Sequence, residues 1–270
     1  MSTDVEKCKE GEAEALISFL KQELHYHTFI LADLSYYGFN KPYQQIYVER
    51  EGGRIKSVFL RYFTQLILAG DPGAKACRDI WELCREQVGT VMGKAELTER
   101  FSKYCRETKG TPAIKTLYAL NDAGKLDSSG KTAYTAKEKD TEQVYRFLMT
   151  VPGFQSLYGE MEMIRNRIQN KEGEHLYYLE GEEIVAHANT AAATPWSCMI
   201  GGVSVKPPYQ HRGMGHMIVS AAAKRALESG RIPAVFSEWP QEQNLFCDLG
   251  FRKIGDWGVL NIWNQHGAKE

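Results

Sequence analysis

Apolar and polar positions alternate at strand spacing in some stretches of this chain and recur at helical spacing in others. Residues 12–27 have the composition of a helix, and residues 44–49 and 54–62 read as strands around the turn Glu51-Gly52-Gly53. Residues 65–69 form a candidate third strand. Asp71 then offers a cap and Pro72 a first helical residue for a helix running to about Gln87. The polar stretch 121–130, with two glycines and the pair Ser128-Ser129, reads as a linker. It divides the chain into a domain at 1–125 and a second at 130–270.

The second half opens on a short candidate strand at 131–136. Asp140 or Thr141 caps a helix that stops before Pro152-Gly153. Leu157, Met161, Ile164 and Ile168 are spaced to make one apolar stripe on a next helix. Residues 174–179, 184–192 and 196–205 read as three strands, and 213–229 as a helix ended by Gly230 and Pro233. A short buried strand at 234–237, a short helix at 241–249 and a closing strand or hairpin at 253–263 complete the pattern. The two halves are faintly alike: each has a helical start, a strand, a glycine turn, two more strands, a loop and a helix. That order suggests a degenerate internal duplication.

Composition narrows the class. A chain of 270 residues holds one large domain or two ordinary ones. Its 33 Lys and Arg nearly cancel its 34 Asp and Glu, so the basic balance of a nucleic-acid binder is missing. Residues 1–11 are polar and acidic, without the apolar run of a signal peptide. The apolar stretches are strand-length, far short of the roughly 20 residues that span a bilayer. Cys8, Cys77, Cys84, Cys105, Cys198 and Cys247 contain no Cys-x-x-Cys pair, and Cys77 and Cys84 fall on one helix face as buried small hydrophobes. The expectation is a reduced, cytoplasmic protein with no metal, no membrane partner and no nucleic-acid partner. The oligomeric state is left open.

The chemistry is concentrated at residues 203–219. A strand ends near Val205, a loop turns over, and a helix begins near Gly213 with its first N–H groups unpaired. Those donors and the positive end of the helix dipole favour a phosphate. Gly213 and Gly215 let it approach the backbone, and Arg212 adds a guanidinium that can fork onto phosphate oxygens. No Gly-x-x-x-x-Gly-Lys-Ser/Thr run occurs. A dinucleotide fingerprint starting at Gly213 would need glycine where Ile218 stands, and it would follow a parallel βαβ unit instead of antiparallel-looking strands.

Gln210-x-x-Gly213-x-Gly215 resembles the acetyl-CoA motif of the GNAT superfamily of acyl-CoA-dependent N-acyltransferases. The family's flanking pieces follow in order: Glu180-Gly181 to Ala186 resembles its hairpin, Val205-x-Pro207-x-Tyr209 its approach to the loop, and Leu249-Gly250-Phe251 its closing signature. The likeness spans about residues 130 to 263. It implies an α+β fold with a GNAT-like mixed, mostly antiparallel sheet flanked by helices. The first half resembles the degenerate half of tandem GNAT proteins, a second, related α/β domain that would help shape the acceptor side. The aromatic run Ser35-Tyr36-Tyr37-Gly38-Phe39 there is read as core packing ahead of acceptor-groove lining.

The resemblance also implies roles. Val203, Ser204 and Val205 would hydrogen-bond the pantetheine arm from a strand that splays from its neighbour. Gln210, His211, Arg212, Gly213, Met214, Gly215 and His216 would cradle the pyrophosphate, with Asn244 a loose substitute for a cofactor-binding asparagine. Acetyl-CoA, as co-substrate, would pass its acetyl group directly to a primary amine of a small molecule or peptide. The chain departs from the family pattern at Phe246, where a tyrosine acid is common, so solvent or Tyr209 would stand in. The strand 196–205 carries no carboxylate, which leaves His187 and Glu238 as candidate bases. A non-catalytic acyl-CoA binder or sensor, or a transferase using another acyl-CoA, is the alternative.

Overall fold

The computed structural model describes residues 5–39, 41–105, 110–126 and 132–262, apart from the side chains of 156, 157, 240 and 241. The chain divides into two compact units, residues 1–116 with 255–270 and residues 117–254. The units change over at 116–117 and 254–255, whereas composition places a boundary in the polar stretch 121–130. Within that stretch Gly124 N donates to Asp122 Oδ1 at 2.8 Å, and residues 127–130 lie outside the described residues.

The first unit starts with β1 (Val5–Lys7), α1 (Ala13–Lys21) and α2 (Leu24–Tyr37). The single helix expected at 12–27 is therefore two. Glu23, at φ −131° and ψ 57°, leaves helical space between them, and α2 runs on because His27, Ile30, Leu31 and Leu34 are all buried. Three antiparallel strands follow: β2 (Gln44–Glu51), β3 (Arg54–Tyr62) and β4 (Gln65–Gly70). The helix expected from Pro72 starts two residues later, as α3 (Ala74–Cys84), because Gly73 N is held by the Glu49 carboxylate at 3.1 and 3.2 Å. Cys77, Ile80, Trp81 and Cys84 form its buried stripe. Sequence reading missed the next elements, β5 (Thr90–Lys94), α4 (Ala95–Ser102) and β6 (Ala113–Ala119), which are short and weakly patterned.

The second half holds β7 (Tyr134–Thr135), α5 (Thr141–Met149), α6 (Phe154–Leu157), α7 (Met161–Asn170), β8 (His175–Glu180), β9 (Glu183–Ala191), β10 (Ser197–Val205), α8 (Met214–Glu228), β11 (Ile232–Ser237), α9 (Pro240–Asp248) and β12 (Arg252–Asn261). The stripe from Leu157 to Ile168 is two helices, α6 and α7. Tyr158 between them is buried and sends its hydroxyl to Asn189, and Glu160 is extended. The candidate closing hairpin is a single strand, β12, and residue 263 lies outside the described residues.

Both units repeat one plan. In the first, the strand order is β1-β2-β3-β4-β5-β12, with β4 and β5 parallel and the end of β12 paired antiparallel to β5 from Trp257 opposite Lys94 to Asn261 opposite Thr90. In the second, β7-β8-β9-β10-β11 ends beside β6, with β10 and β11 parallel. The crossover between each parallel pair is a helix, α3 or α8. In each unit the strand pairing is therefore mixed and mostly antiparallel, as the resemblance implied.

Adjacent residues of β9 point to opposite faces. Val185 packs into a core with Ile200, Ile218, Val219 and Phe251, while Ile184 packs into another with Val144, Phe147, Leu148 and Ile164. Each such fully buried aliphatic side chain contributes about 2 kcal/mol. Among the described residues no helix is long and apolar enough to cross a membrane, and no group of three or more His, Cys, Asp or Glu could hold a metal.

Candidate cofactor site

The site follows from a fork in the second unit's sheet. β10 pairs parallel with β11 from Ser197 opposite Ile232 to Ile200 opposite Val235, and no further. Beyond Ile200, β10 continues to Val205 paired only with β9, so Gly201–Val205 face an opening that β11 does not fill. Val203, Ser204 and Val205 lie on this stretch, half-buried.

The turn-over follows directly. Lys206 N donates to Val185 O at 2.8 Å, and Pro207–Tyr209 make one tight helical turn. Gln210 Nε2 then folds back onto Val205 O at 2.9 Å. His211 (φ 58°) and Gly213 (φ 80°) both adopt left-handed backbone, which curls the loop toward α8. A Cβ at Gly213 would meet nothing within 4 Å, so this glycine is required by its torsion and not by crowding. The helical ladder opens with Met217 N donating to Gly213 O at 3.0 Å, so the amides of Met214, Gly215 and His216 head the helix before the ladder begins.

Side chains around the loop are sorted by exposure. Gln210, His211 and Arg212 are exposed, Met214 is buried in the core, and half-buried His216 lies 3.6 Å from Asp248. Gly215 sits with ordinary contacts to the Leu245 methyls on α9. The loop thus presents backbone, and Arg212 within it is exposed with no acidic partner among the described residues. Asn244 is exposed on α9.

The two candidate bases differ sharply. Glu238 is exposed immediately after β11, the strand that forms the other side of the fork. His187 is fully buried on β9, with Nδ1 2.8 Å from Gly202 O and Nε2 2.9 Å from His175 Nδ1. Burial pushes His187 down to about 4 and His175 to about 2, the latter helped by repulsion from His187 and Arg167. Phe246 is a core residue, packed on Tyr118 and Phe251 with ring centroids 6.3 and 5.7 Å away. Tyr209 is half-buried at the start of the loop.

Sequence reading missed Tyr158, His175, Asn189 and Gly202, which gather behind the fork. Tyr158 donates its hydroxyl to Asn189 Oδ1 at 2.7 Å, and Gly202 lies under both. The one signal for this cluster is the pair Gly201-Gly202 inside a strand, which points to a bulge. The bulge is present: register against β9 shifts between Gly201 and Ser204.

In sequence, residues 141–251 match the model of the acetyltransferase (GNAT) family. No curated protein matches the chain. Among solved structures, a Drosophila protein superposes with a TM-score of 0.69 at 14% identity, covering 97% of this chain and 99% of that one. A tandem GNAT protein from the clavulanic acid biosynthesis pathway superposes with a TM-score of 0.58 at 11% identity, covering 96% and 98%. A GCN5-related N-acetyltransferase-like protein from Streptococcus suis gives 0.58 at 17% identity, covering 92% and 99%. Residues 141–251 are therefore a domain of the GNAT acetyltransferase family, and the fold of the chain fits a tandem GNAT with an N-terminal half.

Proposed function

We propose that the second unit binds acetyl-CoA in the fork between β10 and β11 and transfers the acetyl group directly to a primary amine of a small molecule or peptide. The observation that carries this reading is the fork itself. A strand loses its parallel partner after Ile200, and the loop that follows, which carries exposed Arg212, leads straight into the three leading amides of α8. Pyrophosphate suits the amides of Met214, Gly215 and His216, with Gln210, His211, Arg212 and Gly213 shaping the loop around it. The edge of β10 at Val203, Ser204 and Val205 suits an extended pantetheine arm, whose amides would add to the unpaired strand. Asn244 stands on the helix that follows β11 and keeps its candidate role at the cofactor.

In the transfer, the amine nitrogen forms a bond to the acyl carbon while the carbon–sulfur bond breaks. The amine loses one proton, and the departing thiolate gains one. Holding both reactants in one cleft supplies much of the acceleration, and a backbone N–H on the open edge of β10 would steady the oxyanion. Of the candidate bases, Glu238 is solvent-accessible at the fork and can take a proton directly or through water. His187 has both ring nitrogens engaged and acts, in this reading, from behind the strand. With Phe246 buried in the core, the thiolate takes its proton from solvent or Tyr209. The six cysteines are unpaired, which suits a reducing, cytoplasmic setting.

Acetyl-CoA at a hundredfold its dissociation constant should stabilise the native protein by about 2.7 kcal/mol, read as a rise of several degrees in melting temperature. An absent shift at saturating acetyl-CoA would overturn the binding claim. Release of free thiol should then appear with at least one member of a panel of amines. Buried Phe246 favours a second reading, a sensor that binds acyl-CoA without turnover, and tight binding with no thiol release across the panel selects it. Comparison of acetyl-, propionyl- and succinyl-CoA fixes the acyl group.

A further inference from the structure

The cluster behind the fork has a directionality that its hydrogen bonds dictate. The Gly202 carbonyl can only accept, so His187 Nδ1 carries the proton in their 2.8 Å contact. With Nδ1 protonated in the neutral ring, His187 Nε2 must accept, so His175 Nδ1 is the donor across the 2.9 Å contact. The chain runs one way: His175 to His187 to the backbone of β10.

The point at which it ends is the bulge. Gly202 has φ 58°, in left-handed space, and it sits between the last β10–β11 pair at Ile200 and the resumed register of Ser204 opposite His187. A Cβ there would lie 2.3 Å from Asn189 Oδ1, 2.6 Å from Tyr158 Oη and 3.2 Å from His187 Cε1. Only glycine fits under this rack, and the rack leaves the glycine one place to be. His187, His175 and Asn189 expose 0%, 1% and 2% of their surface, so none of them meets solvent or ligand directly. Phe147 closes the other side of the His187 ring at 6.1 Å between centroids.

We infer that His187, backed by His175, is a positioning residue for the cofactor fork. By holding the Gly202 carbonyl toward β9, it fixes the bulge that parts β10 from β11 and aims the edge of Val203–Val205 into the cleft. This rests on the acyl-CoA reading above for the identity of the ligand, but the mechanical role of His187 does not. The residue touches neither cofactor nor amine. Its loss acts through Gly202.

The test compares His187→Leu, which removes the donor, with His187→Asn, whose side-chain amide can present an N–H from nearly the Nδ1 position. In the unliganded protein, amide hydrogen exchange in the segment 199–206 should quicken in His187→Leu and return most of the way in His187→Asn. Exchange unchanged in His187→Leu overturns the role whether or not acyl-CoA is the ligand. With acetyl-CoA, the dissociation constant should rise about tenfold in His187→Leu, the effect of one lost hydrogen bond that leaves a buried carbonyl unpaired. It should come within about threefold of wild type in His187→Asn, a residual allowed for imperfect geometry. The KM for the amine should hardly move in either. A lower melting temperature in both variants with acetyl-CoA affinity unchanged would mean simple core packing and would overturn the inference. Failure of the wild type itself to bind acetyl-CoA would strike the proposed function and leave the exchange result standing.

Discussion

The buried histidines make a quantitative prediction about acid stability. Burial holds His187 near 4 in the folded protein, against about 6.5 for an exposed imidazole in the unfolded chain. A histidine with a depressed folded value is stabilising while it stays neutral. Its contribution is therefore complete above pH 6.5 and is lost as pH falls toward 4, because only the unfolded chain takes up the proton in that window. The 2.5 units between the two values correspond to about 3 kcal/mol, against a typical total stability of about 5 to 15 kcal/mol. The charged groups facing the pair are few. Among the described residues, Arg167 on α7 repels a proton on His175, while Tyr158 and Phe147 against the two rings, and Asn189 bonded to Tyr158, are neutral. Urea denaturation of wild type and His187→Asn, repeated from pH 7 to pH 4, isolates the effect. The difference in unfolding free energy should shrink by about 3 kcal/mol toward pH 4. Carboxylates such as Glu12, held down by the Lys9 amide, also lose stability in acid, but they are present in both proteins and cancel. A wild-type-minus-variant difference that stays flat across this range would refute a neutral buried His187.

Two further outcomes test other joints of the fold. Gly202→Ala should cost about 2 to 4 kcal/mol in chemical denaturation, combining left-handed strain with the displaced Tyr158–Asn189 bond, whereas Gly213→Ala, open around its Cβ, should cost only about 1 kcal/mol. Equal costs would mean that the cluster over Gly202 yields easily. Glu49→Ala strands the Gly73 amide and the Ser57 hydroxyl, which donates to Glu49 at 2.7 Å, and should lower stability by about 1 to 3 kcal/mol in the same assay. An unchanged midpoint would show that water replaces the carboxylate at no cost.

Strands were the most legible feature because their register leaves a period-two trace, and the bounds of β3 at Arg54–Tyr62 coincide with those read from sequence. Helix interruptions were not legible. Nothing in Lys21-Gln22-Glu23 resembles a stop signal; Glu23 leaves helical space where its carboxylate meets the Lys94 ammonium, a partner far away in sequence. The start of α3 moved for the same kind of reason, since a tertiary carboxylate captured Gly73 ahead of the local cap at Asp71. At the candidate cofactor loop, the glycines and Arg212 were readable because backbone torsion and charge are properties of residue type. The environment of His187 was not. Its histidine partner is twelve residues away on a neighbouring strand, and burial decides whether an imidazole can exchange protons with solvent.

The two units repeat one architecture but treat the start of the crossover helix differently. In both, a strand leaves its parallel neighbour, turns, and feeds a helix whose first amides need an acceptor. In the first unit the protein supplies that acceptor: Glu49 on β2 is 7% exposed, accepts from Gly73 N and Ser57 Oγ, and lies 4.0 Å from Lys56 Nζ. A cavity of about 490 Å³ in the same unit is likewise self-satisfied, since Lys94 pairs with Glu23 and Arg100 with Asp71 across its lining. An incoming phosphate would meet a resident carboxylate and would have to break ion pairs. In the second unit no cap side chain bonds the start of α8, and Arg212 stands exposed without an acidic partner among the described residues. In the proposed reading the leading donors of that helix, which no cap side chain bonds among the described residues, take the pyrophosphate. On the proposed reading, degeneracy in the first half is more than a lost glycine motif: the place of the anion is filled from within, and acyl-CoA binding would fall to the half whose helix has no such cap among the described residues.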